Sequence, residues 1–152
     1  KMENKFGLCR SMSGYSWPWV SKTDANLPDA IIDGVKMFWN RKSIDWINST
    51  TDVTEMGCIH TVQGYDLNYS GIIFGEEITY DKNSKKIKII KNNYHDTKGK
   101  QALENEDELL KYIVKIYKTM MYRGIKGTYI YVCDKDLREY FENHIMLYKQ
   151  KS

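Results

Sequence analysis

Long apolar runs are missing from this 152-residue sequence. No stretch approaches the roughly 18–20 apolar residues that a membrane-spanning helix requires, and the polar amino-terminal segment lacks the apolar core of a signal peptide. These absences predict a protein without a membrane partner. Because 41% of the residues are hydrophobic and 13% are aromatic, the chain can still build a core, which excludes global disorder.

Cysteines are also few, and neither sign of charge is in large excess. The cysteines Cys9, Cys58 and Cys133 form neither a Cys-x-x-Cys pair nor an even-numbered disulfide set. Such usage favours a reducing compartment, and the cytoplasm is the predicted location. The 23 basic residues face 20 acidic ones, which leaves a net charge of only +3. That excess does not by itself indicate a nucleic-acid-binding protein.

Complete phosphate-binding loops are absent as well. The sequence contains neither G-x-x-x-x-G-K-[ST] nor G-x-G-x-x-G, so the chain alone is expected to bind ATP weakly or not at all and not to hydrolyse it. Metal-ligand spacings are equally poor. Cys58 and His60 stand two residues apart, but no second pair completes a set of four ligands, and no metal site is predicted.

One acidic pattern supports a distant alternative function. Pro28-Asp29 together with Asp96-Thr97-Lys98 matches in letters the P-D…D-x-K arrangement with which some nucleases hold Mg²⁺. That chemistry needs the second acid and the lysine on a strand, whereas residues 92–100 are polar and typical of a loop. A Mg-dependent nuclease is therefore the weakest of the interpretations.

Hydrophobic periodicity predicts two helices near the end of the chain. Over residues 105–122, apolar side chains recur at three- and four-residue steps after an Asn105 cap and an acidic first turn. This pattern is typical of an amphipathic helix that packs on a core. A second helix is predicted from Asp134, a good N-cap, to about Tyr148.

Short β-branched and aromatic runs predict the strands. Phe6–Ser11, Gly71–Gly75 and Thr128–Val132 are expected to be central strands of the sheet. Residues 86–91 alternate lysine with isoleucine, which is typical of an edge strand; the lysines there keep the edge soluble or line a nucleic-acid path. Helix, strand and helix in succession favour an α/β fold with a mainly parallel sheet flanked by helices.

The most informative stretch joins a polar, glycine-containing segment to a buried strand. It reads Glu55-Met-Gly-Cys-Ile-His-Thr-Val-Gln-Gly-Tyr-Asp-Leu-Asn-Tyr-Ser-Gly-Ile-Ile-Phe-Gly75. Polar side chains ahead of a buried strand are costly unless they are satisfied or used. Residues 59–64 (Ile-His-Thr-Val-Gln-Gly), followed by Asp66 and the strand, resemble motif V of superfamily 1 helicases, where T-x-x-Q-G-x-E precedes a strand.

Two further stretches resemble helicase motifs in the expected order. Residues 8–19 are similar to the motif IV neighbourhood, and residues 117–132 resemble motif VI, in which an arginine ends a helix before the last core strand. Together the three stretches resemble a bacterial family of uncharacterised ATP-binding proteins with a Schlafen-like DNA/RNA helicase domain. In that family R-x-x-x-G-Y-x-W-x-W, I-H-T-x-Q-G and R-G-x-K-G come in this order. The likeness covers nearly the whole chain.

The resemblance implies an α/β, RecA-like three-layer domain over residues 1–152, the second half of a longer helicase-like chain. The phosphate-binding loop would lie on an absent N-terminal RecA-like domain, which is the implied partner and would hold most of the ATP and Mg²⁺. Arg123 would act as an arginine finger and Arg10 as a second γ-phosphate contact. DNA or RNA is the other implied partner.

The motif V stretch implies roles for five more residues. Gln63, Gly64 and Asp66 would bind the nucleotide or couple it to the nucleic-acid track. His60 and Thr61 would contact the backbone of a bound strand.

Three positions depart from the family pattern. Asp66 stands where the family has Glu, Asn68 where it has Asp, and Tyr122 where it has Thr. These departures motivate the main alternative, a RecA-like binding scaffold that does not hydrolyse ATP. Arg123 also has an ordinary structural explanation, because a cation is favourable at a helix C-terminus.

Overall fold

The computed structural model describes residues 7–42, 44–49, 52–103 and 105–145. In chain order the elements are β1 (Cys9–Ser13), β2 (Ala30–Ile32), β3 (Val35–Trp39), α1 (Trp46–Ser49), β4 (Glu55–Gly57), β5 (Leu67–Phe74), β6 (Ile78–Asp81), β7 (Lys86–Ile89), a 3₁₀ turn (Lys91–Asn93), α2 (Thr97–Ala102), α3 (Glu106–Met121), β8 (Gly124–Val132) and α4 (Lys135–His144).

Six strands form one sheet in the order β2-β3-β4-β1-β5-β8. Every neighbouring pair is parallel except β2 and β3. The architecture is therefore α/β with a mostly parallel central sheet flanked by helices, and it is consistent with the predicted RecA-like three-layer fold. Because β1, β3, β4, β5 and β8 run the same way, their amino ends share one edge of the sheet and their carboxyl ends share the other.

The two predicted helices are present. Asn105 caps α3 by accepting a 2.8 Å hydrogen bond from the Asp107 amide, and Asp134 caps α4 by accepting a 2.7 Å bond from the Leu137 amide. The predicted continuation of the second helix to Tyr148 lies outside the described residues. The apolar stripe of α3 packs into the main core beside the central strands, and its buried members are Leu109, Ile113, Ile116, Tyr117 and Met120.

Strand β8 corrects one sequence prediction. Thr128–Val132 is a strand, but β8 lies at the end of the described sheet rather than at its centre. The reason is visible in the alternation of its side chains: Val132 is buried, whereas Tyr129 is 50% exposed. The run of β-branched and aromatic residues therefore has one packed face and one open face, which a central parallel strand would not have.

The first strand also differs from its predicted limits. Phe6 lies outside the described residues, and β1 runs from Cys9 to Ser13. Gly7 and Leu8 have φ values of +59° and +46°, and this left-handed backbone cannot continue an extended strand.

Residues 92–100 are more ordered than a loop. The structure places the end of the 3₁₀ turn and the start of α2 there, and Asp96 caps α2 by accepting a 3.1 Å hydrogen bond from the Lys98 amide. The predicted edge strand is confirmed for Lys86–Ile89, which pairs with β6 in a separate two-stranded antiparallel sheet.

Candidate functional site

Arg123 lies at the junction between α3 and β8. Its amide donates to the Met120 carbonyl at 3.1 Å, and its carbonyl accepts from the Leu67 amide at 2.8 Å. The residue is half-buried, and its Nε atom is buried without a hydrogen-bond partner among the described residues. Burying a guanidinium N–H without an acceptor is costly. An anionic group at this edge of the sheet would supply the missing acceptor.

Residues predicted for the nucleotide site share the amino edge of the sheet. Asp66 directly precedes β5, Arg123 directly precedes β8, and Arg10 is the second residue of β1. Because β1 and β8 both pair with β5, they lie about 10 Å apart across it. The fold therefore gathers these three residues at one edge, although they are far apart in sequence.

Arg10 already has acceptors within the protein. Its Nη1 atom donates to the Cys9 carbonyl at 3.0 Å, and its Nη2 atom donates to the Ile47 carbonyl in α1 at 2.6 Å. The contact of Arg10 with a γ-phosphate stays a prediction, and it would require these bonds to be shared or exchanged.

Residues 58–66 connect the carboxyl end of β4 to the amino end of β5. His60 and Thr61 lie near the β4 end of this segment, away from Asp66. Thr61 is buried, and its hydroxyl both donates to the Cys58 carbonyl and accepts from the Cys58 amide, each at 2.8 Å. His60 is exposed, and its ring meets Tyr15 edge to face with centroids 6.4 Å apart. Of the two predicted nucleic-acid contacts, His60 is thus the accessible side chain.

Gln63, Gly64 and Asp66 are exposed on the turn that leads into β5. Gly64 has a φ of +82°, a left-handed conformation that glycine adopts without strain. Asn68, one of the departures from the family pattern, donates its side-chain amide to the Gly7 carbonyl at 3.2 Å. An aspartate has no N–H to make this bond, so the local backbone explains the asparagine.

The sequence analysis missed a buried polar cluster at the carboxyl edge. Glu77 is fully buried, and its Oε1 atom accepts a hydrogen bond from the Tyr117 hydroxyl. That hydroxyl also lies 3.3 Å from Ser16 Oγ, and burial raises the pKa of both Glu77 and Tyr117. The available signal was an acid placed three residues after a buried strand.

The nuclease pattern is not assembled into a metal site. Asp29 is buried and accepts three hydrogen bonds, from the Ser21 amide and hydroxyl and from the Trp39 amide, while Asp96 caps α2. Within the described ranges, no group of three or more His, Cys, Asp or Glu side chains could hold a metal ion. Both acids have structural roles, so the structure gives the nuclease interpretation no support.

Two of the lysines on or beside the edge strand are paired with acids. Lys82 contacts Asp136 at 3.0 Å and Glu139 at 2.8 Å, and Lys88 pairs with Asp81. Exposed pairs of this kind contribute little stability, but they reduce the positive potential of the strand. The arrangement favours a soluble edge over a nucleic-acid path, while Lys85, Lys86 and Lys91 are exposed.

A shallow pocket of about 180 Å³ lies elsewhere, beside the end of β8. Tyr131 on its wall donates a 2.7 Å hydrogen bond to Asp33 in the β2–β3 turn. Burial, together with Glu76 and Glu77, raises the pKa of the Cys133 thiol there to about 11, so this thiol is a poor nucleophile at neutral pH. None of the predicted site residues lines this pocket.

The sequence of the chain matches a family model over residues 1–134, and that model describes the Schlafen group 3 DNA/RNA helicase domain. The chain belongs to this family. The match includes all three motif-like stretches and the segment that carries Arg10, His60, Asp66 and Arg123. Membership supports a helicase-like domain of a nucleic-acid-binding family, whereas the individual roles of these residues stay predictions.

A curated relative extends the comparison to a eukaryote. The uncharacterized protein YPL245W of Saccharomyces cerevisiae is 32% identical over 146 residues, which cover 90% of this chain and 32% of the relative. The chain therefore spans about a third of the length of the curated relative that it matches. No solved structure matches the chain. In the described part of the chain, no helix has the length and apolar character needed to cross a membrane.

Proposed function

We propose that this domain is the second motor half of an ATP-dependent nucleic-acid helicase or translocase, with Arg123 as its arginine finger. The observation that carries the proposal is the partly buried guanidinium of Arg123 at the amino edge of the sheet, whose Nε atom has no acceptor among the described residues. An N-terminal RecA-like domain of the same parent chain would complete the ATP site.

The chemistry of phosphoryl transfer suits an arginine at this place. Negative charge spreads over the oxygens of the transferred phosphoryl group in the transition state, and a planar guanidinium can donate to two of them. Among the described residues, Arg123 fits an anion at the amino edge, and Arg10 would fit one with exchange of its present bonds. Mg²⁺ would be held mainly by the N-terminal domain and would neutralise charge on the β- and γ-phosphates.

The segment 58–66 supports a coupling role. It leaves the carboxyl end of β4 and reaches the amino end of β5, so it joins the two edges of the sheet. His60, exposed at one end, would contact the phosphates of a DNA or RNA strand while Thr61 holds the turn. Gln63, Gly64 and Asp66, exposed at the other end, would face the nucleotide. A displacement of the backbone at either end of this segment would then displace the other end.

A second candidate is a RecA-like scaffold that binds nucleic acid or protein without hydrolysing ATP. The observation that favours it is the internal pairing of Arg10, whose two terminal nitrogens bond to the carbonyls of Cys9 and Ile47. The replacement of the family's Glu by the shorter Asp66 points the same way.

Steady-state ATP hydrolysis by the whole parent protein separates the two candidates. We expect ATP hydrolysis whose rate increases when single-stranded DNA or RNA is added. Comparing the two polymers identifies which nucleic acid the protein uses. Binding of nucleic acid without hydrolysis would favour the scaffold. A protein that neither hydrolyses ATP nor binds nucleic acid would contradict the motor and the nucleic-acid-binding scaffold, and would leave only a scaffold that binds protein.

A further inference from the structure

Two hydroxyl groups, one in β5 and one in β8, connect these neighbouring strands to the end of α3, close to Arg123. Thr128 Oγ1 in β8 donates to the Met121 carbonyl at 2.7 Å, and Ser70 Oγ in β5 lies 2.8 Å from Thr128 Oγ1. A hydroxyl has one proton to donate. Because the Thr128 proton points to Met121, Ser70 must be the donor in the second bond. The result is a directed chain from β5 through β8 to the last residue of the helix.

The residue after Arg123 packs directly on this hydroxyl pair. A Cβ atom at Gly124 would lie 2.3 Å from the Gly127 carbonyl oxygen, 2.7 Å from Ser70 Oγ and 2.9 Å from Thr128 Oγ1. Met121, two residues before Arg123, receives the Thr128 bond. The same pair of hydroxyls therefore contacts the backbone on both sides of the candidate finger.

An irregularity in the sheet lies directly beside this contact. Leu67 is paired with Gly124 and Tyr69 with Gly127, so two steps along β5 correspond to three along β8. The extra residue is a β-bulge, which interrupts the ladder of backbone hydrogen bonds. Regular pairing resumes at Tyr69 and Gly127 and continues at Ser70 and Thr128. The hydroxyl pair thus lies at the second regular position after the bulge.

We infer that Thr128 and Ser70 are positioning residues for Arg123, an inference that rests on the proposed function. Through Thr128, they bind the Met121 carbonyl at the end of α3, which would otherwise lack an intrahelical partner. They also pack against Gly124, the residue that follows the arginine. The guanidinium is thereby directed to one place at the amino edge of the sheet. A catalytic group displaced by about 1 Å can lose on the order of 10²-fold in rate.

The whole parent protein with Thr128→Val tests the inference. Valine keeps the shape of threonine but cannot donate to Met121 or accept from Ser70. We expect kcat for ATP hydrolysis to fall by roughly 10²-fold, KM to stay within about twofold, and Thr128→Ser to restore kcat. Thr119→Val is the matched control, because its hydroxyl makes a similar 2.9 Å bond to the Lys115 carbonyl within α3 and does not touch the Arg123 junction.

Amide hydrogen exchange over residues 121–127 gives a second readout that does not depend on activity. We expect faster exchange there in Thr128→Val and unchanged exchange in Thr128→Ser and Thr119→Val. If the wild-type protein hydrolyses no ATP, the proposed function fails, and the exchange pattern alone decides whether the hydroxyls hold the junction. Unchanged exchange, an unchanged kcat, a rise in KM alone, or a loss that serine does not restore would overturn the inference.

Discussion

The main-chain carbonyl of Arg123 accepts a 2.8 Å hydrogen bond from the amide of Leu67. Leu67 is the first residue of β5 and directly follows Asp66, so this bond joins the motif V-like segment to the motif VI-like arginine. The two stretches are more than fifty residues apart in sequence, and parallel pairing of β5 with β8 brings them together. The bond places the end of the 58–66 segment one residue away from a direct backbone contact with the arginine.

Replacing Gly124 by alanine tests the close packing beside Arg123. The added Cβ would lie 2.3 Å from the Gly127 carbonyl oxygen, so we expect a loss of about 1–3 kcal/mol in the free energy of unfolding, as for other overpacked sites. Gly127→Ala is the matched control, because its Cβ would lie 3.4 Å from the Tyr69 ring, an ordinary contact. Urea denaturation of both variants checks the difference, and equal losses would contradict it.

Glu77 predicts a dependence of stability on pH. Burial raises the pKa of its carboxyl group, opposed by hydrogen bonds from Tyr117 and Ser16. Between the pKa of the unfolded chain and the higher pKa of the folded protein, the folded state keeps a proton that the unfolded state has lost. The Glu77 contribution to stability is therefore greatest at low pH and declines as pH rises through this window, at up to about 1.4 kcal/mol per pH unit.

Glu77→Gln removes this titration while keeping the size of the side chain and an acceptor for Tyr117. We expect the variant to lose the decline and to be more stable than the wild type at neutral pH. Glu76→Gln, at the exposed neighbouring position, serves as the control and should keep the wild-type profile. Thermal melting of the three proteins from about pH 4 to pH 8 distinguishes them. A wild-type profile in Glu77→Gln would show that the buried carboxyl does not retain its proton.

Gly64 tests whether backbone conformation, rather than space, selects the residue. Its φ is +82° and nothing lies within 4 Å of an added Cβ. We expect Gly64→Ala to lower the free energy of unfolding by about 1–2 kcal/mol, since alanine is strained in this region. Gly64→Asn should cost less, because asparagine tolerates left-handed backbone. Equal costs for the two substitutions, measured by urea denaturation, would contradict the conformational explanation.

Local patterns account for the elements that the sequence predicts well. The cap at Asn105, the acidic first turn and the apolar periodicity all lie within residues 105–122, and α3 occupies Glu106–Met121. The position of Arg123 follows directly, because it is set by the end of this helix and by the strand after it. Such features need no knowledge of the rest of the fold.

Long-range pairing accounts for what the sequence does not predict. Strands β2 and β4 have three residues each, too few for a periodic pattern, and they exist through their neighbours. The edge position of β8 depends on which strands pair. The Glu77 cluster also depends on the fold, because it brings together Ser16 and Tyr117, which are 101 residues apart in sequence. Hydroxyl contacts such as Ser70 with Thr128 likewise depend on the register between two strands.

The arginine finger is the central claim, and substitution of Arg123 in the whole parent protein tests it most directly. We expect Arg123→Ala to lower kcat for ATP hydrolysis by roughly 10³–10⁵-fold with little loss of ATP binding, and Arg123→Lys to recover only a small part. Arg138→Ala is the matched control, because this arginine follows the other end of β8 and donates to the Val132 carbonyl at 2.8 Å; it should remain active. Melting temperatures measured on the same preparations exclude misfolding. A stably folded, fully active Arg123→Ala protein would contradict the arginine-finger role. Arg123 would then be a cation that stabilises the C-terminus of α3.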